Sequence, residues 1–199
     1  MSTHGPRLRG RHSTLSALVL AAAFAFPASA ARADLIDLTP CNTSVLRLPF
    51  VPWADVASYE LSPGGDFEQP SWALSGGAQR ASGSEPHAAT GKVGNWSLTL
   101  PAGSSAQSPP TCVDLRYPTV RFFIAGTGSV AVSLVIGSST VPAGTAVAGS
   151  AWLPSPIIVT VSPALATASG GTAQVSVRLT GASGNPKVDD VFIDPWNRG

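Results

Sequence analysis

Few residues of this chain are of types that do chemistry, and their spacing narrows the choice further. Of three histidines only His87 lies beyond residue 33, beside Pro86 in a stretch rich in Gly, Ala and Ser, where it reads as an exposed loop residue and not a general base. No Gly-x-Ser-x-Gly elbow presents a nucleophilic serine. The run Gly126-Thr127-Gly128-Ser129-Val130-Ala131 imitates a dinucleotide fingerprint, but it leads into a strand pattern and follows no βαβ unit, so it reads as a hairpin turn. Cys41 and Cys112 are too few for a closed zinc site without clustered histidines, and they are not the closely spaced pair of a redox centre. In an oxidising compartment they pair in the single way two cysteines allow, against the alternative of two free thiols. A Cys41–Cys112 bond closes a loop of about 70 residues and restricts the unfolded chain by roughly 4 kcal/mol. The expectation is a protein that is not an enzyme.

The elements that must position these residues read as β throughout. Ala173, Val175, Val177 and Leu179 alternate with Thr172, Gln174, Ser176 and Arg178, the period of a half-buried strand. The same reading picks out Trp96 to Leu100, Val120 to Ile124, Val130 to Ile136, Ile157 to Val161 and Val188 to Ile193, with weaker candidates at Val45 to Leu48, Asp66 to Glu68 and Trp72 to Leu74. Gly, Pro, Ser and Asn separate these runs, as in Gly126-Thr127-Gly128 and Gly184-Asn185-Pro186. Eight to ten short strands without an amphipathic helix predict one all-β antiparallel β-sandwich, a jelly roll. Residues 75–94, poor in apolar anchors, form a mobile excursion or one or two edge strands.

Residues 1–33 read as an address. Arg7, Arg9 and Arg11 precede an apolar stretch from Leu15 to Phe26, too short to span a bilayer comfortably, and small residues follow at Ala28-Ser29-Ala30 and Ala31-Arg32-Ala33. This predicts a signal peptide over 1–33 and a single domain over 34–199; the alternative is an uncleaved anchor or a buried helix. Cleavage after Ala33 removes four arginines and no acid, leaving 8 Lys+Arg against 11 Asp+Glu. With a net charge of +1 before cleavage and only 12% charged residues, the chain has no electrostatic footprint for nucleic acid or an anionic membrane. The mature protein is expected to be secreted, extracellular or cell-wall associated, with no membrane span.

Gly64-Gly65-Asp66-Phe67-Glu68, Trp72-Ala73-Leu74-Ser75-Gly76-Gly77 and a closing Asp189-Asp190-Val191-Phe192-Ile193-Asp194 resemble the first and last strands of jelly-roll domains of the carbohydrate-binding-module, galactose-binding-like type. The order of Cys41, Pro49 to Trp53, Gly64 to Glu68, Cys112, Pro118 to Phe123, Gly149 to Trp152 and Asp189 to Trp196 is similar to a group of secreted actinobacterial proteins, over nearly the whole chain after residue 33. This resemblance implies fold and export and carries over no catalytic residue. In such modules a structural calcium lies where the first strand meets the last, and Glu68 and Asp189 occupy the matching places. Calcium takes six to eight oxygens, which two carboxylates and turn carbonyls can supply. Alternatively these acids are solvated at sheet ends or paired with Lys187 or Arg80. An inward Asp189, sharing a face with Val191 and Ile193, needs a partner or a metal.

Sugar rings stack their apolar faces on exposed indole or phenol rings. Trp96, in register with Leu98 and Leu100, and Trp72, in register with Leu74, read as core. Trp53, Tyr59, Tyr117 and Trp152 lie near turns or Pro-flanked loops and are the candidate ligand platform, with plugging the end of the sandwich as the competing role. The expected function is a secreted, non-catalytic module for polysaccharide or a cell-envelope glycan. The alternative is a structural or adhesive surface protein without a sugar pocket.

Overall fold

The computed structural model describes residues 1–2, 45–114, 119–160 and 172–194. The chain divides into two compact units, Met1–Ala33 and Asp34–Gly199. The expected signal peptide falls in the first, where only Met1 and Ser2 are described; Cys41 and Tyr117 also lie outside the described residues.

Within the described residues the second unit is almost wholly β, and every strand pairing is antiparallel. The strands are β1 (Leu46–Arg47), β2 (Tyr59–Leu61), β3 (Ala73–Ser75), β4 (Gln79–Ser82), β5 (Trp96–Thr99), β6 (Ser105–Gln107), β7 (Thr111–Asp114), β8 (Thr119–Ile136), β9 (Ser139–Val147), β10 (Leu153–Pro154), β11 (Ile158–Val159) and β12 (Thr172–Asp194). Among the described residues one 3-10 turn, Val51–Trp53, with Pro52 inside it, interrupts them.

The spine is the ribbon of β8 and β12, paired from Ser176↔Val135 to Asp194↔Thr119. On the far side of β8 lie β9, β10 and β11, and on the far side of β12 lie β7, β6, β5 and β2. Alternate residues from both halves of the ribbon, Val120, Phe122 and Ile124 with Val132, Leu134 and Ile136, enter one apolar cluster. The halves therefore face each other across that core, and the second unit is an antiparallel β-sandwich of jelly-roll type. Each fully buried aliphatic side chain there adds about 1.5–3 kcal/mol.

The supposed hairpin at Gly126-Thr127-Gly128 is corrected by this ribbon. Thr127 pairs with Asn185 and Gly128 with Gly184, so both punctuation segments lie inside long strands, where the ribbon bends. Gly128 has φ of 92° and Gly184 of 63°, and a Cβ on Gly128 would stand 2.0 Å from the Ser183 carbonyl oxygen. Glycine is required there because two backbones cross closely at a corner, not because the chain reverses.

A second shift concerns the end of β12. The register slips between Asp189 and Phe192, and Asp190 takes φ of 45°, a bulge. Val191 and Ile193 join the main core, whereas Asp189, opposite Phe123, and Phe192, opposite Arg121, belong to the outer face. The expected face shared by Asp189, Val191 and Ile193 is thus broken by one inserted residue. The 75–94 stretch supplies one edge strand, β4, paired to β5.

Candidate functional site

The outer face of β2, β12 and β8 carries a second, smaller core: Phe50, Tyr59, Phe123 and Phe192, all fully buried. A sheet face of this kind would meet water unless something lay over it, and three segments do. The 50–57 segment brings Phe50, Trp53 and Ala57; the 84–89 segment brings Ala89; the approach to β10 brings Trp152. Phe50 meets Tyr59 edge-on at 5.1 Å and Phe192 edge-on at 5.6 Å. Such pairs add about 0.5–1.5 kcal/mol each beyond their burial.

At the rim of this core three rings stay partly open. Trp53 is half-buried, with its ring edge-on to Phe123 at 5.4 Å and to His87 at 4.9 Å. The exposed His87 lies stacked on Phe123 at 5.4 Å and 29° between planes, and its Nε2 stands 3.1 Å from the Trp152 carbonyl oxygen. A carbonyl only accepts, so Nε2 carries the proton in that bond, and Nδ1 is the second polar nitrogen of the ring. Trp152 itself is half-buried against the same core.

Two polar clusters lie under these rings. In the first, Arg121 donates from Nη1 to Asp55 Oδ2 at 2.5 Å and from Nε to the Ser155 carbonyl at 3.0 Å, while its guanidinium lies 4.5 Å above the Phe50 ring. The Tyr59 hydroxyl donates to the same Asp55 oxygen at 2.8 Å and the Ala57 amide to the other at 3.0 Å. Burial pushes the Asp55 carboxyl up, but hydrogen bonds from Tyr59, Ala57 and Arg121, with the guanidinium charge, together hold it below the usual carboxylate range. Burial and then the Asp55 hydrogen bond drive the Tyr59 hydroxyl well above its ordinary value.

The second cluster is acidic. Glu85 and Asp189 are fully buried and Asp190 nearly so. Asp189 Oδ2 accepts from Ser84 Oγ at 2.6 Å and from the Glu85 amide at 2.9 Å, and its Oδ1 accepts from the Asp190 amide at 2.9 Å. Glu85 in turn accepts from the amides of Ala89, at 2.9 Å, and His87. Burial, against these donors, pushes the Asp189 carboxyl up to about 7. Asp190 goes higher still, through burial and then the charges of Asp189, Glu85 and Asp66.

The sequence-predicted site residues separate on this map. Trp53 and Trp152 come together at the rim. Tyr59 does not: it is fully buried in β2 with its hydroxyl committed to Asp55, which corrects the expectation of a platform phenol. Trp72 is core as expected, donating from Nε1 to the Pro63 carbonyl at 3.0 Å. Trp96 is not: it is 37% exposed at the start of β5, under the Arg80 guanidinium at 4.5 Å, because the core has run out before the strand begins. Cys112 lies half-buried in β7 and is not a free thiol.

Glu68 and Asp189 do not form one open cradle for calcium. Glu68 Oε1 accepts the amides of Asn95 at 2.7 Å and Trp96 at 3.0 Å, and its Oε2 faces Asn95 Nδ2 at 3.3 Å. These bonds, against a burial effect that raises it, hold the Glu68 carboxyl below its ordinary value. Ser84, bonded to Asp189, takes the Gly94 amide at 3.2 Å on its own hydroxyl and so stands between the two acids. Among the described residues no group of three or more His, Cys, Asp or Glu is arranged to hold a metal ion.

His87 and Glu85 are the site residues that sequence reasoning missed. Neither sits in a periodic run, and nothing in the composition of 75–94 marks them; only the folded contacts bring them to the rings.

No family model matches the chain, and no curated protein matches it. Among solved structures it is similar to the enzymatically active domain of bacteriophage CBA120 tailspike protein 4, at 14% identity and a TM-score of 0.41 over 66% of this chain and 20% of that one. It is similar to the CBM22-1–GH10 modules of Clostridium thermocellum xylanase 10B, at 16% identity and a TM-score of 0.46 over 70% of this chain and 28% of that one. A carbohydrate-binding module of Cellvibrio mixtus lichenase 5A gives 10% identity and a TM-score of 0.44 over 69% of this chain and 96% of that module. The chain thus spans under a third of the first two, and no residue role is transferred from any of the three.

Proposed function

We propose that this chain is a secreted, non-catalytic binding module whose ligand is a carbohydrate, a polysaccharide or cell-envelope glycan, taken at the rim formed by Trp53, His87 and Trp152. The observation that carries the reading is the seating of two half-open indoles and an imidazole on the buried base of Phe50, Phe123 and Phe192. Rings fixed in this way lose little freedom when a sugar stacks on them, so less of the stacking energy is spent on ordering the site. The His87 ring adds a polar nitrogen, Nδ1, beside the indoles, the kind of group that hydrogen-bonds hydroxyls next to a stacked sugar face. The resemblance of the opening and closing motifs to carbohydrate-binding modules supports the same reading. Export rests on residues 1–33 and the proposed Cys41–Cys112 bond; a free-thiol assay on denatured, unreduced mature protein should find no thiol, and two thiols would refute the pairing.

A glycan array tests the ligand. Binding of a defined set of polysaccharides by the wild type, lost in Trp53→Ala and Trp152→Ala with the circular dichroism unchanged, is the expected result. A second reading has an observation of its own: Leu153, Ile157 and Val159, on or beside edge strands β10 and β11, are each more than half exposed. An adhesive surface protein would use such an edge, and an array without binding, together with concentration-dependent self-association, favours it.

A further inference from the structure

The loop that carries His87 is tied to the sheet around one buried carboxylate. We propose that Glu85 is the positioning residue of the ring site, fixing the 84–89 segment to β12 so that His87 is delivered to Phe123, Trp53 and the Trp152 carbonyl. This rests on the rim as the place where ligand docks, but the positioning itself is a property of the free protein.

Glu85 is fully buried although its neighbours Pro86 and His87 are exposed. A carboxylate pays heavily for leaving water unless its oxygens are used, and both are. One oxygen accepts the Ala89 amide at 2.9 Å and the other the His87 amide, so a single side chain ties the turn at two points on either side of Ala88. Ala88 has φ of 55°, a left-handed conformation that an alanine side chain disfavours and that relaxes when nothing holds it. The turn is then anchored to the sheet through the Glu85 amide, which donates to Asp189 Oδ2 at 2.9 Å, and through Ser84 Oγ, which donates to the same oxygen at 2.6 Å. Asp189 lies opposite Phe123 on the ribbon, and Phe123 is the ring on which His87 stacks. The chain of contacts runs from one cross-strand pair, out through Asp189 and Glu85, and back to the other member of that pair through the His87 ring. It closes a loop that fixes both the height and the tilt of the imidazole.

Glutamine at position 85 keeps the size of the side chain but presents an NH2 group to one of the two amides, so one tie is lost. In NMR spectra of the folded mature protein, the His87 imidazole protons should be displaced by the ring currents of Phe123 and Trp53 and show contacts to Trp53. In Glu85→Gln those shifts should collapse toward the values of an exposed histidine while the methyl signals of Val132, Leu134 and Val177 stay in place. Unchanged His87 signals in a folded Glu85→Gln protein would overturn the proposal. Should the variant fail to fold, amide exchange in the wild type decides: His87 and Ala89 amides slowed by about a hundredfold or more relative to a free loop sustain the positioning role, and exchange at free-loop rates overturns it. None of these measurements contains a glycan, so an array without hits refutes the ligand and leaves the positioning role standing on its own result.

Discussion

The two polar clusters beneath the rings solve the same problem by opposite means. Asp55 is half-buried beside a cation, and Arg121 spends its guanidinium on Asp55, on the Ser155 carbonyl and on the face of Phe50. Asp189 is buried with two other acids and receives only neutral donors, from Ser84, Glu85 and Asp190. Burial raises both carboxyls, but hydrogen bonds from Tyr59, Ala57 and Arg121, with the guanidinium charge, hold Asp55 below its ordinary value, whereas burial outweighs the donors to Asp189 and pushes it up to about 7. The difference teaches that a buried acid can be a fixed charge or a proton store depending on what faces it, and that both serve here as footings for loops which cover one sheet face.

The largest effect should come from breaking the balanced cluster. Arg121→Met leaves the half-buried Asp55 without its cation and is expected to cost about 3 kcal/mol in urea unfolding, the low end for breaking a buried pair. A loss near zero would mean that the pair is solvated and the contrast is empty.

Next comes the unbalanced cluster, where the sign is reversed. Asp189 and Asp190 have folded-state values above the ordinary one, so the folded protein binds more protons than the unfolded chain, and stability falls as pH rises from about 4 through 7 and beyond. Asp190→Asn removes one such acid, and asparagine tolerates the φ of 45° at that position. The variant should match the wild type near pH 3, below the ordinary value of 3.8, and melt several degrees above it at pH 9. A lower melting temperature for the variant at pH 9, with the wild type stabilised by added calcium and destabilised by chelator, would show that an ion and not a proton balances these acids.

Asp55 sharpens the comparison in the other direction. Its folded value is depressed, so its stabilisation is present above the ordinary value of 3.8 and disappears as pH falls through the lowered one. Asp55→Asn should therefore be destabilising at pH 7, by about 1–3 kcal/mol, and progressively less so toward pH 2. The smallest effect is expected outside both clusters: Trp96→Ala removes an exposed stack with Arg80 and should cost about 0.5–1 kcal/mol.

Period two was readable where one face is wet and the other dry, as along Ala173 to Leu179, and there the strand lies where the alternation puts it. It was not readable where both faces are covered. Val120 to Ile124 is buried throughout because the outer face has its own core, and a run of that kind does not say which residue faces which layer. Gly126 to Gly128 looked like a turn because glycine marks reversals and bends alike. Asp189 to Phe192 kept its apolar pattern while a bulge moved the phase. Trp53 and Trp152 could be singled out from their Pro-flanked settings, but Tyr59 could not be told from them, since only the fold shows that its loop ends at a buried strand. His87 looked idle because its importance comes from Glu85, Asp189 and Phe123, which lie 2, 102 and 36 positions away.

The most direct measurement is calorimetric titration of one glycan, the strongest array hit, into wild type, Trp53→Ala and Trp96→Ala in parallel. The rim account predicts that Trp53→Ala abolishes binding and that Trp96→Ala binds like the wild type. Binding that survives in Trp53→Ala and vanishes in Trp96→Ala would contradict it.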